Sequence, residues 1–199
     1  MSEKNLKKED LIKKFNNAKI ISNDKYIEIQ IDYLEIFNTI KLLKEDSSLH
    51  FDQLIDLTAI DYPSQNKRFH IVYLLMSMTL NQRVLVKSSV EDGKNIPTIT
   101  SIHKAANWYE RECYDLFGIQ FSNHPDLRRI MTDYNFEGYP LRKDFPLTGF
   151  TEVRYDNLEK KVVYEPVKLT QEYRNFDFMS PWEGLNNELV GDEKSEDLD

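Results

Sequence analysis

The chain has 199 residues, 40% of them apolar, and its 34 acidic side chains against 26 basic ones leave a formal charge of −8. That length suits one domain, or one domain with an appendage, and the negative balance opposes non-specific attraction to phosphate backbones and anionic lipid surfaces, so nucleic acid is not an expected partner. No run approaches the roughly 18 apolar residues of a spanning helix; the longest, residues 71–76, fits a buried strand. The first predicted element is a short amphipathic helix carrying Leu6, Leu11, Ile12 and Phe15. Residues 26–31, YIEIQI, then alternate so that Ile27, Ile29 and Ile31 share one face, the period of a half-buried strand. Asp32 with Glu35 reads as a helix N-terminus, and Leu34, Phe37, Ile40 and Leu43 recur at helical spacing. FDQLIDLTAIDYP, RFHIVYLLMSMTL and QRVLVKSSVE follow as three strands rich in β-branched and aromatic residues. Turns at residues 63–67 and at Asn81 join them, which implies antiparallel pairing.

A Thr100 or Ser101 cap then opens a helix with Ile102, Ala106, Tyr109, Cys113 and Leu116 on its apolar stripe, and Gly118 stands where a left-handed C-cap belongs. Helices segregated from a run of strands predict an α+β two-layer sandwich: helices on one side of a mainly antiparallel mixed sheet, with a long extended C-terminal segment. The predicted division is a compact domain over 1–118, an extended partner-wrapping segment over 119–184, and an acidic flexible tail over 185–199. The middle segment holds five of the seven prolines yet is studded with aromatic and aliphatic side chains. It lacks the period for a core of its own and is too apolar to float in water, so it is expected to spread over another surface.

Charge is densest at Trp108-Tyr109-Glu110-Arg111-Glu112-Cys113-Tyr114-Asp115. At about 100° per residue, Arg111, Glu112 and Asp115 lie opposite the apolar stripe with Glu110 at its margin. Two of the acids oppose the helix dipole in the last turn, so cations are expected to hold them. Two readings stand side by side. One is a solvated face with an Arg111–Asp115 pair; the other is an ionic anchor for the Arg-rich loop of Arg128 and Arg129, or for a partner. Paired carboxylates can also be a general acid and base, but no nucleophile or phosphate-binding loop accompanies them. Cys113, on the stripe, reads as an inert packed thiol. His124 before Pro125 reads as turn geometry and ionic pairing, and Arg142, Lys143 and Asp144, between Pro140 and Pro146, as a clamp for acidic groups or a solvated loop. A single cysteine and four scattered histidines (His50, His70, His103, His124) have no metal-site spacing, and one thiol cannot ligate an iron–sulfur cluster by the usual four. The opening MSEKNLKKEDLIKKF has neither the apolar core of a secretory signal nor the arginines of a transit peptide, and no leader is expected.

The run ERECYDLFGIQFSNHPDLRRIM, then GYPLRKDFPL, then FDFMSPWEG resembles the 30-kDa-type (C-type) subunit of proton-translocating NADH:quinone oxidoreductase, respiratory complex I, in its alphaproteobacterial and mitochondrial branch. Glu110–Glu112, Asp115, Leu116, Phe117, His124, Arg128, Ile130 and Met131 carry the resemblance, which is strong over about residues 105–184; Tyr139 stands where that family's pattern has His. The resemblance implies a non-redox peripheral-arm subunit of an enzyme complex, with no catalytic site, flavin or cluster of its own; FMN and iron–sulfur clusters reside in partner subunits. It implies contact with the quinone-site (D-type) subunit, with the cluster-bearing B-type and I-type subunits nearby, and a peripheral place on an inner membrane, on the cytoplasmic side in a bacterium or the matrix side in a mitochondrion. Glu110, Arg111, Glu112, Asp115, His124, Arg128, Arg129, Arg142, Lys143, Asp144 and Trp182 would then be structural or interface residues. Replacing Glu112 or Arg128 by Ala is expected to lower the amount of assembled complex without changing its turnover. The alternatives are an accessory subunit of a related hydrogenase-type complex, a free-standing adaptor that binds through the Pro/aromatic segment, and a hydrolase using Glu110, Glu112 or His124.

Overall fold

A computed structural model describes residues 11, 14, 15, 18–22, 26–169 and 171. Most of the predicted N-terminal helix, the FDFMSPWEG run with Trp182, and the acidic tail lie outside the described residues. The chain divides into two compact units, Met1–Gly149 and Phe150–Asp199. The division falls after Gly149, some thirty residues beyond the position expected from sequence texture.

In the first unit, β1 (Lys19–Ser22), β2 (Ile27–Asp32), β3 (Gln53–Asp61), β4 (Phe69–Ser77) and β5 (Gln82–Val90) form one sheet in the order β1-β2-β5-β4-β3. β2 and β5 run parallel; every other pair is antiparallel. The one parallel pair requires a crossover connection, and α1 (Ile36–Glu45) lies within it. Alternation along β4 puts Phe69, Ile71, Tyr73 and Leu75 in the core and leaves His70, Val72, Leu74 and Met76 half-buried on the other face. One apolar cluster joins that inner face to both helices, with Ile36, Ile40 and Leu43 from α1 and Ala106, Cys113 and Phe117 from α2 (Ala106–Phe117). This is the expected α+β sandwich of helices on a mainly antiparallel mixed sheet.

Local details differ from the sequence pattern for identifiable reasons. Asp32 does cap, accepting from the Leu34 N–H at 3.1 Å, but it opens a 3₁₀ turn, Tyr33–Glu35, and α1 starts only at Ile36. Leu34 is therefore 60% exposed while Ile36 and Thr39 face the core. Thr100 and Ser101 do not cap α2; they sit in a turn closed by the Ile102 and His103 N–H groups on the Ile99 carbonyl, both at 2.9 Å, and the helix opens at Ala106. Its C-terminus is as expected: Gly118 has φ 77° and its N–H returns to the Tyr114 carbonyl at 2.8 Å. Two short parallel strands, β6 (Asn95–Pro97) and β7 (Gln120–Ser122), flank α2 in sequence.

The second unit contains an antiparallel hairpin of β8 (Thr151–Asp156) and β9 (Lys161–Pro166). Asp156 accepts from the Leu158 and Glu159 N–H groups to form its turn.

Candidate functional site

Helix α2 is covered on two sides. Ala106, Glu110, Cys113 and Phe117, spaced by four, three and four, form the inward face, whereas Asp115 points away from it and is nevertheless fully buried. The loop after β7 is what buries it. Asp115 accepts the backbone N–H groups of Ile130, Met131 and Thr132 at 2.9, 2.6 and 2.9 Å, the Thr132 hydroxyl, and the Arg129 guanidinium at 2.8 Å. Burial works against its ionisation, but these donors outweigh it and hold the carboxyl well below the usual range. Arg129 also reaches the Gly138 carbonyl at 3.0 Å and lies over the Phe136 and Tyr139 rings.

Two further locks continue along the same segment. The Arg142 guanidinium donates to the Phe117 carbonyl at 2.6 Å and to both Asp92 carboxylate oxygens at 2.9 and 3.0 Å, stacked between the rings of Phe69 and Tyr139. Asp61, at the end of β3, takes a two-pronged grip from Arg68 at 2.6 and 2.8 Å and the Lys143 backbone N–H at 2.7 Å, and Arg68 pairs in turn with Asp144 at 3.0 Å. The Arg68 contact first, and then the Lys143 N–H, keep the Asp61 carboxyl low against the effect of burial. Residues 128–145 are thus tied to the end of α2 and to the sheet by three carboxylate–guanidinium pairs within the first unit.

Several expected roles change accordingly. Arg111 does not pair with Asp115; it donates to the Arg128 and Arg129 carbonyls at 3.0 and 3.2 Å and lies over Trp108. Asp115 is already saturated from the other side. Arg128 spends its charge on exposed Asp126, and Glu112, half-buried, has no ion pair among the described residues. Lys143 contributes its backbone rather than its ammonium group. Arg142 and Asp144 act on acids and bases of this chain, not on a free acidic ligand. Asp61, Arg68 and Asp92 complete the locks and carry no sequence signal beyond flanking turns; Asp61 and Arg68 pair across 7 residues, and their partners in the segment after α2 are 50 to 82 residues away along the chain.

Glu110 is different in kind. Its carboxyl is fully buried, accepts the Ile99 N–H at 2.8 Å and meets the Thr98 hydroxyl, and faces His124 Nε2 across 3.8 Å, with no cation in contact. Burial pushes it up to about 7. Cys113 is buried with its Sγ 3.8 Å from the Leu57 carbonyl, and burial raises its thiol far above the reactive range. Among the described residues no three His, Cys, Asp or Glu side chains converge as a metal centre would need. Asp61, Asp92 and Asp115 are each matched by a guanidinium group of this chain, which ties the segment after α2 to the first unit.

Residues 29–151 match the family described as respiratory-chain NADH dehydrogenase, 30 Kd subunit. The chain is 56% identical over 171 residues to the C subunit of NADH-quinone oxidoreductase from Ruegeria pomeroyi, covering 85% of this chain and 86% of that one. Against the protein of the same name from Parvibaculum lavamentivorans it is 57% identical over 161 residues, 81% of this chain and 80% of the other. Its fold is similar to a chain in the structure of the membrane-bound sulfane sulfur reductase, an archaeal respiratory membrane complex, with a TM-score of 0.62 and 26% identity over 70% of this chain and 83% of that chain.

Proposed function

The chain belongs to the family of the respiratory-chain NADH dehydrogenase 30-kDa subunit, and from that membership we propose that it is a non-redox scaffold in the peripheral arm of NADH:quinone oxidoreductase. It holds the quinone-site (D-type) subunit, with the cluster-bearing B-type and I-type subunits nearby, so that electrons pass from NADH to quinone coupled to proton translocation. FMN and the iron–sulfur clusters belong to other subunits of the complex; the single thiol of this chain lacks the ligand count for a cluster. No described helix is long and apolar enough to cross a membrane, in keeping with a peripheral place on the inner membrane, on the cytoplasmic side in a bacterium or the matrix side in a mitochondrion.

The observation that carries this reading is the hairpin of the second unit. Val153 stands opposite Tyr164 and Tyr155 opposite Val162, so all four side chains share one face, and each is more than half exposed. The other face carries Arg154 paired with Glu165 at 2.7 Å and with Asp156 at 3.4 Å. A lone two-stranded hairpin is marginal in water, and an exposed aromatic and aliphatic face of this kind marks a surface made for a protein partner. The neighbours in a large complex provide it. A free-standing adaptor would show the same face, but the identity to the oxidoreductase relatives runs over both units and favours the complex; an accessory subunit of a related hydrogenase-type complex is the second reading. The test is co-purification in mild detergent of the chain carrying Tyr155→Ser with Val162→Ser. We expect the respiratory subunits to be lost from the purified material while unfolding of the first unit is unchanged; retention of the full set would remove the hairpin from the interface.

A further inference from the structure

We propose that Glu110 is a buried proton-binding site, a neutral carboxylic acid whose hydroxyl closes the hydrogen-bond chain that seats residues 98–100 on α2. Three geometric facts lead there. The side chain is fully buried, and every contact it makes is with an uncharged group. His124 is the nearest group able to carry positive charge, yet its Nδ1 accepts the Asp126 N–H at 3.1 Å. That acceptor role requires a bare Nδ1, so the imidazole is neutral with its single proton on Nε2. Nε2 meets hydrogen-bond geometry with neither the Asn107 backbone nor Glu110, whose Oε2 is 3.8 Å away.

The third fact is a count of hydrogens. The Thr98 hydroxyl accepts the Thr100 N–H at 3.2 Å and stands as donor both to Glu110 Oε2 and to the Thr100 hydroxyl oxygen, the latter at 3.0 Å. It has one hydrogen for two acceptors. A proton on Glu110 Oε2 resolves the conflict: that hydroxyl donates to Thr98 Oγ1, and the Thr98 hydrogen goes to Thr100. Oε1, which takes the Ile99 N–H, is then the carbonyl oxygen. The acid form satisfies the polar atoms of the Glu110–Thr98–Thr100 chain, and the ionised form would leave an uncompensated charge in the core.

Burial of Glu110 is opposed only by the hydrogen bonds from Thr98 and the Ile99 N–H, and by no cation. β4 presents Tyr73, whose buried hydroxyl has no hydrogen-bond partner and is pushed far up by burial and by Glu110; α2 presents Cys113, raised likewise. Burial lowers the His124 imidazole, the Asn107 backbone and Asp126 raise it and Arg111 lowers it, and the balance keeps it below its ordinary range. The desolvation of Glu110 places its titration at about 7, within reach of physiological pH. The ligand is therefore a proton, bound where the 98–100 segment and the His124 loop meet the helix. Its release loads charge onto that junction and loosens it. This assignment stands on the geometry of the first unit and does not depend on the scaffold role.

The experiment is a pH titration of the full-length chain with glutamate labelled by carbon-13 at its carboxyl carbon. We expect one glutamate resonance, missing from Glu110→Gln, with a midpoint near neutrality while the exposed glutamates titrate near about 4.3. A Glu110 resonance that moves with the exposed ones overturns the proposal. A native carboxyl above its unfolded value makes stability full below the unfolded pKa, with a loss as pH rises through the folded one. Wild type should thus lose up to about tenfold in its folding equilibrium per pH unit between the two, and Glu110→Gln, an isostere of the acid, should not. Equal slopes in the two proteins overturn it as well. Should the Gln variant fail to fold, infrared spectroscopy of the wild type decides: a protonated carboxyl band persisting above about pH 6, well past the ordinary glutamate range, is expected, and its absence refutes the site.

Discussion

Asp115 gathers five donors around one carboxylate that has no exposure to water. Removing it strands the half-buried Arg129 and three backbone N–H groups, whereas Arg128 and Asp126 are exposed at 64% and 48% of their side chains and solvent can replace either. Breaking a buried pair costs on the order of 3–5 kcal/mol and an exposed one about 0–1 kcal/mol. Asp115→Ala should therefore destabilise the chain severely in denaturant unfolding and lower the yield of assembled oxidoreductase, while Arg128→Ala leaves both near normal and neither changes turnover per assembled complex. A large effect of Arg128→Ala would mean that a partner takes its guanidinium away from Asp126. The acid side has a definite sign: the Asp115 carboxyl is held low in the folded chain, so its contribution is present above the unfolded value and is lost as pH falls towards the folded one.

Much of this is legible in the sequence at the level of elements and little at the level of partners. Alternation in residues 69–77 and 82–90 reads correctly as strands because one sheet face is buried and the other only half so. The stripe on α2 is drawn from apolar residues alone, and that is why Glu110 falls at its margin: a buried carboxyl looks polar to any periodicity count, although its spacing from Ala106, Cys113 and Phe117 puts it on the inner face. The need of Asp115 for a cation follows from the helix dipole, but the choice of Arg129 over Arg111 depends on a loop whose path has no period. Asp61, Asp92 and Arg68 are invisible for the same reason. Gly118 is readable as a cap and holds a second role that is not: a Cβ there would lie 2.6 Å from the Tyr139 ring and 2.8 Å from the Arg142 guanidinium. Gly118→Ala should cost roughly 1–3 kcal/mol, from the left-handed backbone and the displaced lock together. Thermal unfolding measures it, and a Tm equal to wild type would show that Tyr139 yields freely.

At the scale of the whole molecule, the aperiodic stretch from residue 119 onward belongs to two different physical regimes. Up to Gly149 the stretch is engaged with the first unit, exposed Tyr134 apart: Tyr139 lies between the guanidinium groups of Arg129 and Arg142, Phe136 packs beside Phe145, and the Leu141 N–H bonds the Leu116 carbonyl at 3.0 Å. From Phe150 on, the described residues form a single hairpin with both strands largely exposed. Local opening free energy follows burial and hydrogen bonding, so a protease should distinguish the two even though both read as irregular in sequence. Trypsin has targets in each: Arg128, Arg129, Arg142 and Lys143 in the first, Arg154, Lys160 and Lys161 in the second. The former are engaged through their guanidinium or backbone groups, and their peptide bonds are pinned by Asp115 and Asp61. Lys160 and Lys161 sit at a turn with Lys160 at φ 51° and no described element covering it. Within residues 119–169 of the isolated chain, the first cut should therefore fall in the second unit, at 154–161 or after the exposed Lys168, and the same bonds should become resistant once the chain is built into the complex. Cleavage first after Arg128, Arg129 or Arg142 would mean that the carboxylate locks do not hold the loop in the free protein and form only against a partner.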